Sequence, residues 1–103
     1  MPKLAYSPDS RQDLQDIKRY ITEKLQNPIA AKNVITRIRR EIHKLKDTPG
    51  IGPSLASHVP VETDYRFLVC GNYVAYYRVI DNTVYVVRIL LSGRDYFSIL
   101  FPE

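Results

Sequence analysis

Apolar positions along this chain follow two different rhythms, and the change between them divides it. The short run Leu4-Ala5-Tyr6 predicts a first edge strand. Ser7-Pro8 then supplies a helix start, with Ser as N-cap, Pro at the first helical position and Asp9 in the first turn. Leu14, Ile17, Ile21 and Leu25 recur at helical spacing and make one buried stripe. Asn27-Pro28 repeats the cap-then-proline signal, so one helix stops there and another begins. In the second helix Ala31, Val34, Ile35, Ile42 and Leu45 fall within about 60° of Ile38 at ~100° per residue. Lys32, Arg39, Arg40, His43, Lys44 and Lys46 take the other side. The cap signals give each helix roughly 18 residues, and the short link between them implies an antiparallel helix hairpin.

From Asp47 to Pro60 the chain reads as a loop, with Pro49, Gly50, Gly52, Pro53 and Pro60 as dense turn chemistry. The period then changes from 3.6 to 2. Tyr65–Cys70, Tyr73–Ile80 and Val84–Leu91 are rich in Val, Ile and Tyr and predict strands, with Gly71-Asn72 and Asp81-Asn82 as two-residue hairpin turns. Those turns place Val69 opposite Val74 and Arg78 opposite Tyr85. One face then carries Tyr65, Phe67, Val69, Val74, Tyr76, Arg78, Tyr85, Val87 and Ile89. The other carries Arg66, Leu68, Cys70, Ala75, Tyr77, Val79, Val84, Val86, Arg88 and Leu90, and as the more aliphatic face it suits the helices. The aromatic face is then either open, which implies a protein partner or, with an Arg between two Tyr, a nucleic-acid surface, or covered by the chain's own apolar ending, Tyr96–Phe101. The fold class is α+β. An N-terminal strand and an antiparallel helix hairpin pack on a small, mainly antiparallel sheet of three to four strands, in a single domain spanning 1–103.

Composition narrows the function classes. A chain of 103 residues with 45% hydrophobic and 25% charged residues is an ordinary globular domain, too short for a dinucleotide-binding unit plus a substrate domain. No run approaches the ~18 apolar residues of a membrane span, and Met1-Pro2-Lys3-Leu4-Ala5-Tyr6 is not a signal peptide, so a cytoplasmic chain without a membrane partner is expected. One cysteine, Cys70, excludes an internal disulfide, and with His43 and His58 as the only histidines no zinc site or other cofactor is expected. The net charge of +4 is uneven: residues 1–48 balance at +5 and residues 49–103 at −1. The cations of the second half are all arginines, Arg66, Arg78, Arg88 and Arg94. Gly50-Ile51-Gly52-Pro53 lacks the Lys-Ser/Thr of a phosphate loop, Ser92-Gly93-Arg94 is not a nucleophile elbow, and no His is placed to activate Cys70.

The order strand, helix hairpin, Gly/Pro loop and meander resembles the RelE/ParE superfamily of toxins from bacterial type II toxin–antitoxin pairs. The local match lies in Tyr65-Arg66-Phe67-Leu68-Val69, Gly71-Asn72-Tyr73 and Tyr77-Arg78-Val79, continuing into Val86-Val87-Arg88-Ile89-Leu90 and Gly93-Arg94-Asp95-Tyr96. The resemblance implies a growth inhibitor neutralised by a cognate antitoxin. Tyr65, Phe67, Tyr76 and Tyr85 on the aromatic face are the residues expected to bind that antitoxin.

The superfamily divides by mechanism. The RelE-like branch cleaves messenger RNA on the ribosome, which needs a base, a cation on the pentacovalent phosphate and a proton donor. Aligned to that branch, Tyr65 and Phe67 stand where lysines are expected, Val74 where the transition-state Arg is expected, and Leu100 at the C-terminal Tyr. Arg94 alone matches. If the chain is RelE-like, the resemblance assigns catalysis to Arg94, with Arg78 and Arg66 from shifted positions, Tyr96 as the nearby substitute, and His58 or Glu62 as base. The structural alternative has Arg66 and Arg88 packed on the sheet with their heads on Glu62, Asp64 or Asp95. The ParE-like branch poisons DNA gyrase by protein contact, lacks the nuclease residues and tends to a longer helix hairpin; the reading leans this way. A third reading is an inactive module that retains antitoxin binding.

Overall fold

The computed structural model describes residues 2–102. The chain runs β1 (Lys3–Tyr6), α1 (Pro8–Glu23), α2 (Pro28–His43), a 3-10 turn (Lys44–Lys46), a long loop, β2 (Arg66–Cys70), β3 (Tyr73–Ile80), β4 (Thr83–Leu91) and α3 (Tyr96–Leu100). The four strands form one mixed sheet in the order β1-β4-β3-β2. β1 is parallel to β4, and the two later pairs are antiparallel. The expected strand, helix hairpin and meander are all present.

Both helix starts work as the sequence implies. Ser7 Oγ accepts the Ser10 N–H at 2.9 Å, and Asn27 Oδ1 accepts the Ala30 N–H at 3.0 Å. Each helix has 16 residues rather than the expected 18 or so: α1 stops ahead of a left-handed Gln26 (φ 51°), and α2 passes into the 3-10 turn at Lys44. Leu25 therefore falls beyond α1 and is exposed instead of completing its buried stripe.

The helix hairpin covers one sheet face. Leu14, Ile38, Ile42 and Leu45 pack there against Cys70, Ala75, Tyr77, Val84, Val86 and Ile89. Register at the two turns matches expectation, with Val69 opposite Val74 and Arg78 opposite Tyr85. Along β4 the face assignment holds as far as Val87. A β-bulge sets Tyr77 opposite Val86 and Tyr76 opposite Arg88, so Val87 is an extra residue. One extra residue inverts the alternation beyond it. Ile89, expected on the aromatic face, joins the helix-side core, and Leu90 goes to the opposite face.

That opposite face is not open. α3 and the loop residues 55–59 fold over it, and Leu55, Val74, Tyr76, Leu90 and Leu100 form a second buried cluster flanked by Tyr65, Phe67, Val87 and Tyr96. Of the expectations for the aromatic face, self-covering by the apolar ending is the one realised.

The long loop is pinned from below. The buried Tyr77 hydroxyl donates to Pro49 O at 2.7 Å and accepts the Gly52 N–H at 3.0 Å. Gly52 has no room for a Cβ, which would collide with Phe67 O and the Tyr77 ring. The strand-like pairing of Ser54 with Arg66 then covers the start of the outer edge of β2.

Candidate functional site

A cleft of about 340 Å³ opens on the α3 side of the sheet, between the loop after Leu55 and the end of β4. Phe67, Val74 and Tyr76 from β2 and β3 form its floor, and His58, Arg94 and Tyr96 line it from the flanking loops. Three of the five residues assigned to catalysis thus converge here, although His58 precedes Arg94 by 36 positions and Tyr96 by 38. His58 is held by its backbone N–H on Leu55 O at 2.9 Å, by its ring edge-on to Phe67 at 5.3 Å, and by Nδ1 within 3.2 Å of Ser57 Oγ.

Arg94 is set by the turn that ends β4. Its N–H donates to Leu91 O at 3.1 Å, and Gly93 supplies a left-handed φ of 92°. Its side chain is exposed and makes no ion pair among the described residues. Asp95 caps α3 through the Ser98 N–H at 3.3 Å and the Ser98 hydroxyl at 2.8 Å, and so is not available to Arg94 or Arg88. The Tyr96 ring lies 5.3 Å from that of Tyr76. Burial, and secondarily the neighbouring Tyr96, pushes the Tyr76 phenol up to about 12. Tyr76 is therefore a neutral hydroxyl at physiological pH.

Arg66 and Arg78 lie elsewhere. Arg66 donates to Gly52 O at 2.7 Å and ties down the loop. Arg78 makes two hydrogen bonds to Asp64, at 3.0 and 2.8 Å, with its guanidinium over the Tyr65 ring. The hydrogen bond from Arg78 holds the Asp64 carboxyl below its ordinary value. Arg88 pairs with Asp13 of α1. The structural alternative for these arginines is thus corrected in its partners: Arg66 holds a carbonyl and Arg88 holds Asp13, not Glu62, Asp64 or Asp95. Asp13 escaped the sequence reading; its signal was a carboxylate beside Leu14 on the apolar side of α1.

The four aromatic residues expected to bind a partner do not form one open patch. Tyr65 is half-buried and stacks on Phe101 at 5.5 Å, Phe67 is half-buried, and Tyr76 is 6% exposed. Tyr85 alone stands clear, on the far part of β4 opposite Arg78. Tyr76 is corrected from a surface residue to a core residue, because Tyr96 and Leu100 close over it. Among the described residues no group of three or more His, Cys, Asp or Glu side chains could hold a metal ion, and no helix is long and apolar enough to cross a membrane.

A parallel β1 docked on β4, an antiparallel helix hairpin behind the sheet and a cleft beside a short closing helix define a ParE/RelE-like toxin fold. The family model described as the ParE toxin of the type II toxin–antitoxin system parDE matches residues 4–96, and the chain belongs to that family. It is a toxin of the type II class. Solved structures share the fold at low identity. The toxin of a chromosomal ParDE system from P. aeruginosa is 22% identical with a TM-score of 0.74, over 88% of this chain and 96% of that one. The RelBE2 toxin–antitoxin complex from Mycobacterium tuberculosis gives 16% and 0.64, over 88% and 99%. YafQ from E. coli gives 13% and 0.55, over 98% and 99%. No curated protein matches the sequence.

Proposed function

We propose that this toxin arrests growth by protein contact in the ParE-like manner, with DNA gyrase as its target, and that a cognate antitoxin neutralises it. The allocation of arginines carries the reading. Cleavage of a phosphodiester needs cations free to meet the phosphate. Arg66 is engaged by Gly52 O and Arg78 by Asp64, which leaves Arg94 as the arginine lining the cleft. An aromatic and aliphatic floor with one exposed arginine suits insertion of a protein segment better than an RNA backbone.

The RelE-like reading keeps one observation in its favour, the convergence of His58, Arg94 and Tyr96 on a single cleft. Two assays divide the readings. Purified toxin is added to gyrase with supercoiled and relaxed plasmid, and a reporter messenger is mapped by primer extension after toxin induction. The proposal expects gyrase-dependent cleaved plasmid and an uncut messenger. Discrete cuts that need ribosomes would replace it with the nuclease reading. An absence of both, with normal growth on induction, would leave an inactive antitoxin-binding module.

A further inference from the structure

The outward face of α2 carries a row of charge that neither the cleft nor the core uses. Asn33, Thr36, Arg37, Arg40, His43 and Lys44 fall within about 60° of Arg40 at ~100° per residue, and all six are exposed. The one carboxylate of the helix, Glu41, lies to the side and accepts from Lys44 at 3.0 Å. Arg37 and Arg40 have neither an ion pair nor a side-chain hydrogen bond among the described residues. Arg37 reaches over the Gly71-Asn72 turn, where a Cβ added to Gly71 would lie 3.5 Å from its guanidinium. A recess of about 120 Å³ opens there between α2 and the turn, lined also by Val34 and Tyr73.

We propose that this face binds duplex DNA through its phosphates, with α2 lying along the major groove. Charge complementarity selects a polyanion, and duplex DNA carries one negative charge per about 1.7 Å of its axis. The polarity of the face argues against a protein occupant. From Asn33 to Lys44 it has no apolar side chain to bury, whereas the centre of a protein interface is apolar and poor in charge. It has no aromatic ring either, so the unstacked bases of a single strand find no platform. The B-form major groove, about 12 Å wide, admits a helix whose diameter with side chains is about 10–12 Å. The major groove of an A-form RNA duplex is too deep and narrow to do so. In that seat Arg37 and Lys44, about 10 Å apart at 1.5 Å per residue, meet the phosphates of one strand. The recess beside Arg37 gives one of those phosphates room next to the guanidinium. Lys32, exposed at about 80° from Arg40 on the other flank, faces the opposite strand. The proposal does not rest on the gyrase reading, because it concerns the toxin and DNA alone.

The test titrates the purified full chain, without gyrase, into a fluorescent 20-base-pair DNA duplex of arbitrary sequence and follows anisotropy over a range of salt. An RNA duplex of the same sequence and a glutamate-rich 15-residue peptide are the competitors. The DNA should bind with an affinity that falls steeply with salt, by about 0.9 in log K per log salt for each phosphate met. Arg37→Ala and Arg40→Ala should each weaken binding at least about threefold and flatten the salt slope by about 1, a change that a purely structural role would not produce. Arg78→Ala, the same charge loss on the sheet, should weaken it by less than about twofold. If either alanine variant folds poorly, Arg37→Gln and Arg40→Gln serve, with the same change of slope. Amide shifts on adding the duplex should cluster at Thr36, Arg37, Arg40, Lys44 and Gly71. The proposal is overturned if the α2 variants keep the parent's affinity and slope, if shifts gather instead around His58 and Arg94, or if the RNA duplex or the acidic peptide binds more tightly than the DNA. Such a failure would leave the gyrase reading standing, since cleaved plasmid reports on that separately.

Discussion

The Asp13 carboxylate joins Arg88 across 75 positions of sequence, through hydrogen bonds at 2.8 Å to both Nε and Nη2, and it also accepts the Ile89 N–H at 2.9 Å. β1 pairs with β4 only as far as Val86. Beyond that point the outer edge of β4 would be bare. Ser7 covers its first part, donating its N–H to Val86 O at 2.9 Å and its hydroxyl to Val87 O at 2.7 Å, and Asp13 covers the next. One turn and a half of α1 thus acts as a substitute strand.

Asp13→Ala should therefore cost about 2–3 kcal/mol, because it strands a partly buried guanidinium and a backbone N–H together. The Arg88 side chain is 26% exposed, which keeps the loss below that of a fully buried pair. Asp13→Asn can still accept from Ile89 and should lose less. Urea unfolding of the three proteins checks the order; equal midpoints for Asp13→Ala and the parent would remove the edge-capping role.

The Gly52–Tyr77 contact gives a second stability prediction. Tyr77→Phe leaves the Gly52 N–H and Pro49 O without their shared hydroxyl and should cost about 1–3 kcal/mol. Gly52→Ala pushes a methyl into Phe67 O and the Tyr77 ring, with an overpacking cost of about 1–3 kcal/mol or more. Because both act on one clamp, the double variant should lose less than the sum of the two, as a thermodynamic cycle would show.

Much of this architecture was legible in the sequence, for local reasons. Ser7-Pro8, Asn27-Pro28, Gly71-Asn72 and Asp81-Asn82 each fix backbone geometry within a few residues, so helix starts and hairpin register followed from them. The Val87 bulge left no such mark, since Val86-Val87 fits a regular strand as well as a bulged one. Its consequence was non-local: Ile89 and Leu90 exchanged faces. The candidate site was half legible. Arg94 and Tyr96 sit next to a turn that places them, and His58 belongs to a loop whose course depends on the Tyr77 clamp. Arg66 and Arg78 looked equally available until their partners, a carbonyl 14 residues back and Asp64, came into view.

Alkaline titration should expose two buried groups. Burial first, then the nearby Glu41 charge, pushes the Cys70 thiol up to about 11, and burial pushes Tyr76 up to about 12. Both native values lie above the ordinary ones, so the folded state holds these protons longer than the unfolded chain. The stability they contribute is full below about pH 9 for Cys70 and about pH 10 for Tyr76, and it is lost as pH rises through their native values. Stability measured by urea at pH 8 and pH 10.5 should fall, and Cys70→Ala or Tyr76→Phe should flatten the decline. At pH 7.5 a thiol reagent should label Cys70 only after denaturant is added.

Arg78 and Arg94 should separate cleanly in cells. Arg78 is tied to Asp64 in an exposed pair whose side chains are 38% and 54% accessible, so its removal should cost under about 1 kcal/mol. The hydrogen bond that lowers the Asp64 pKa is present at neutral pH and is lost only as pH falls through that lowered value. Arg78→Ala should therefore inhibit growth as the parent does. Arg94 has no ion-pair partner among the described residues and lines the cleft, so nothing in the fold depends on its charge, whereas a docked partner would. Arg94→Glu should keep the parent's unfolding midpoint yet lose growth inhibition by about tenfold or more in the inducer required, as for a charge reversed at the centre of an interface. On the proposed protein-contact reading His58→Gln should stay toxic, since such contact needs no general base. A non-toxic, folded His58→Gln would instead move the cleft toward proton-transfer chemistry and the nuclease reading.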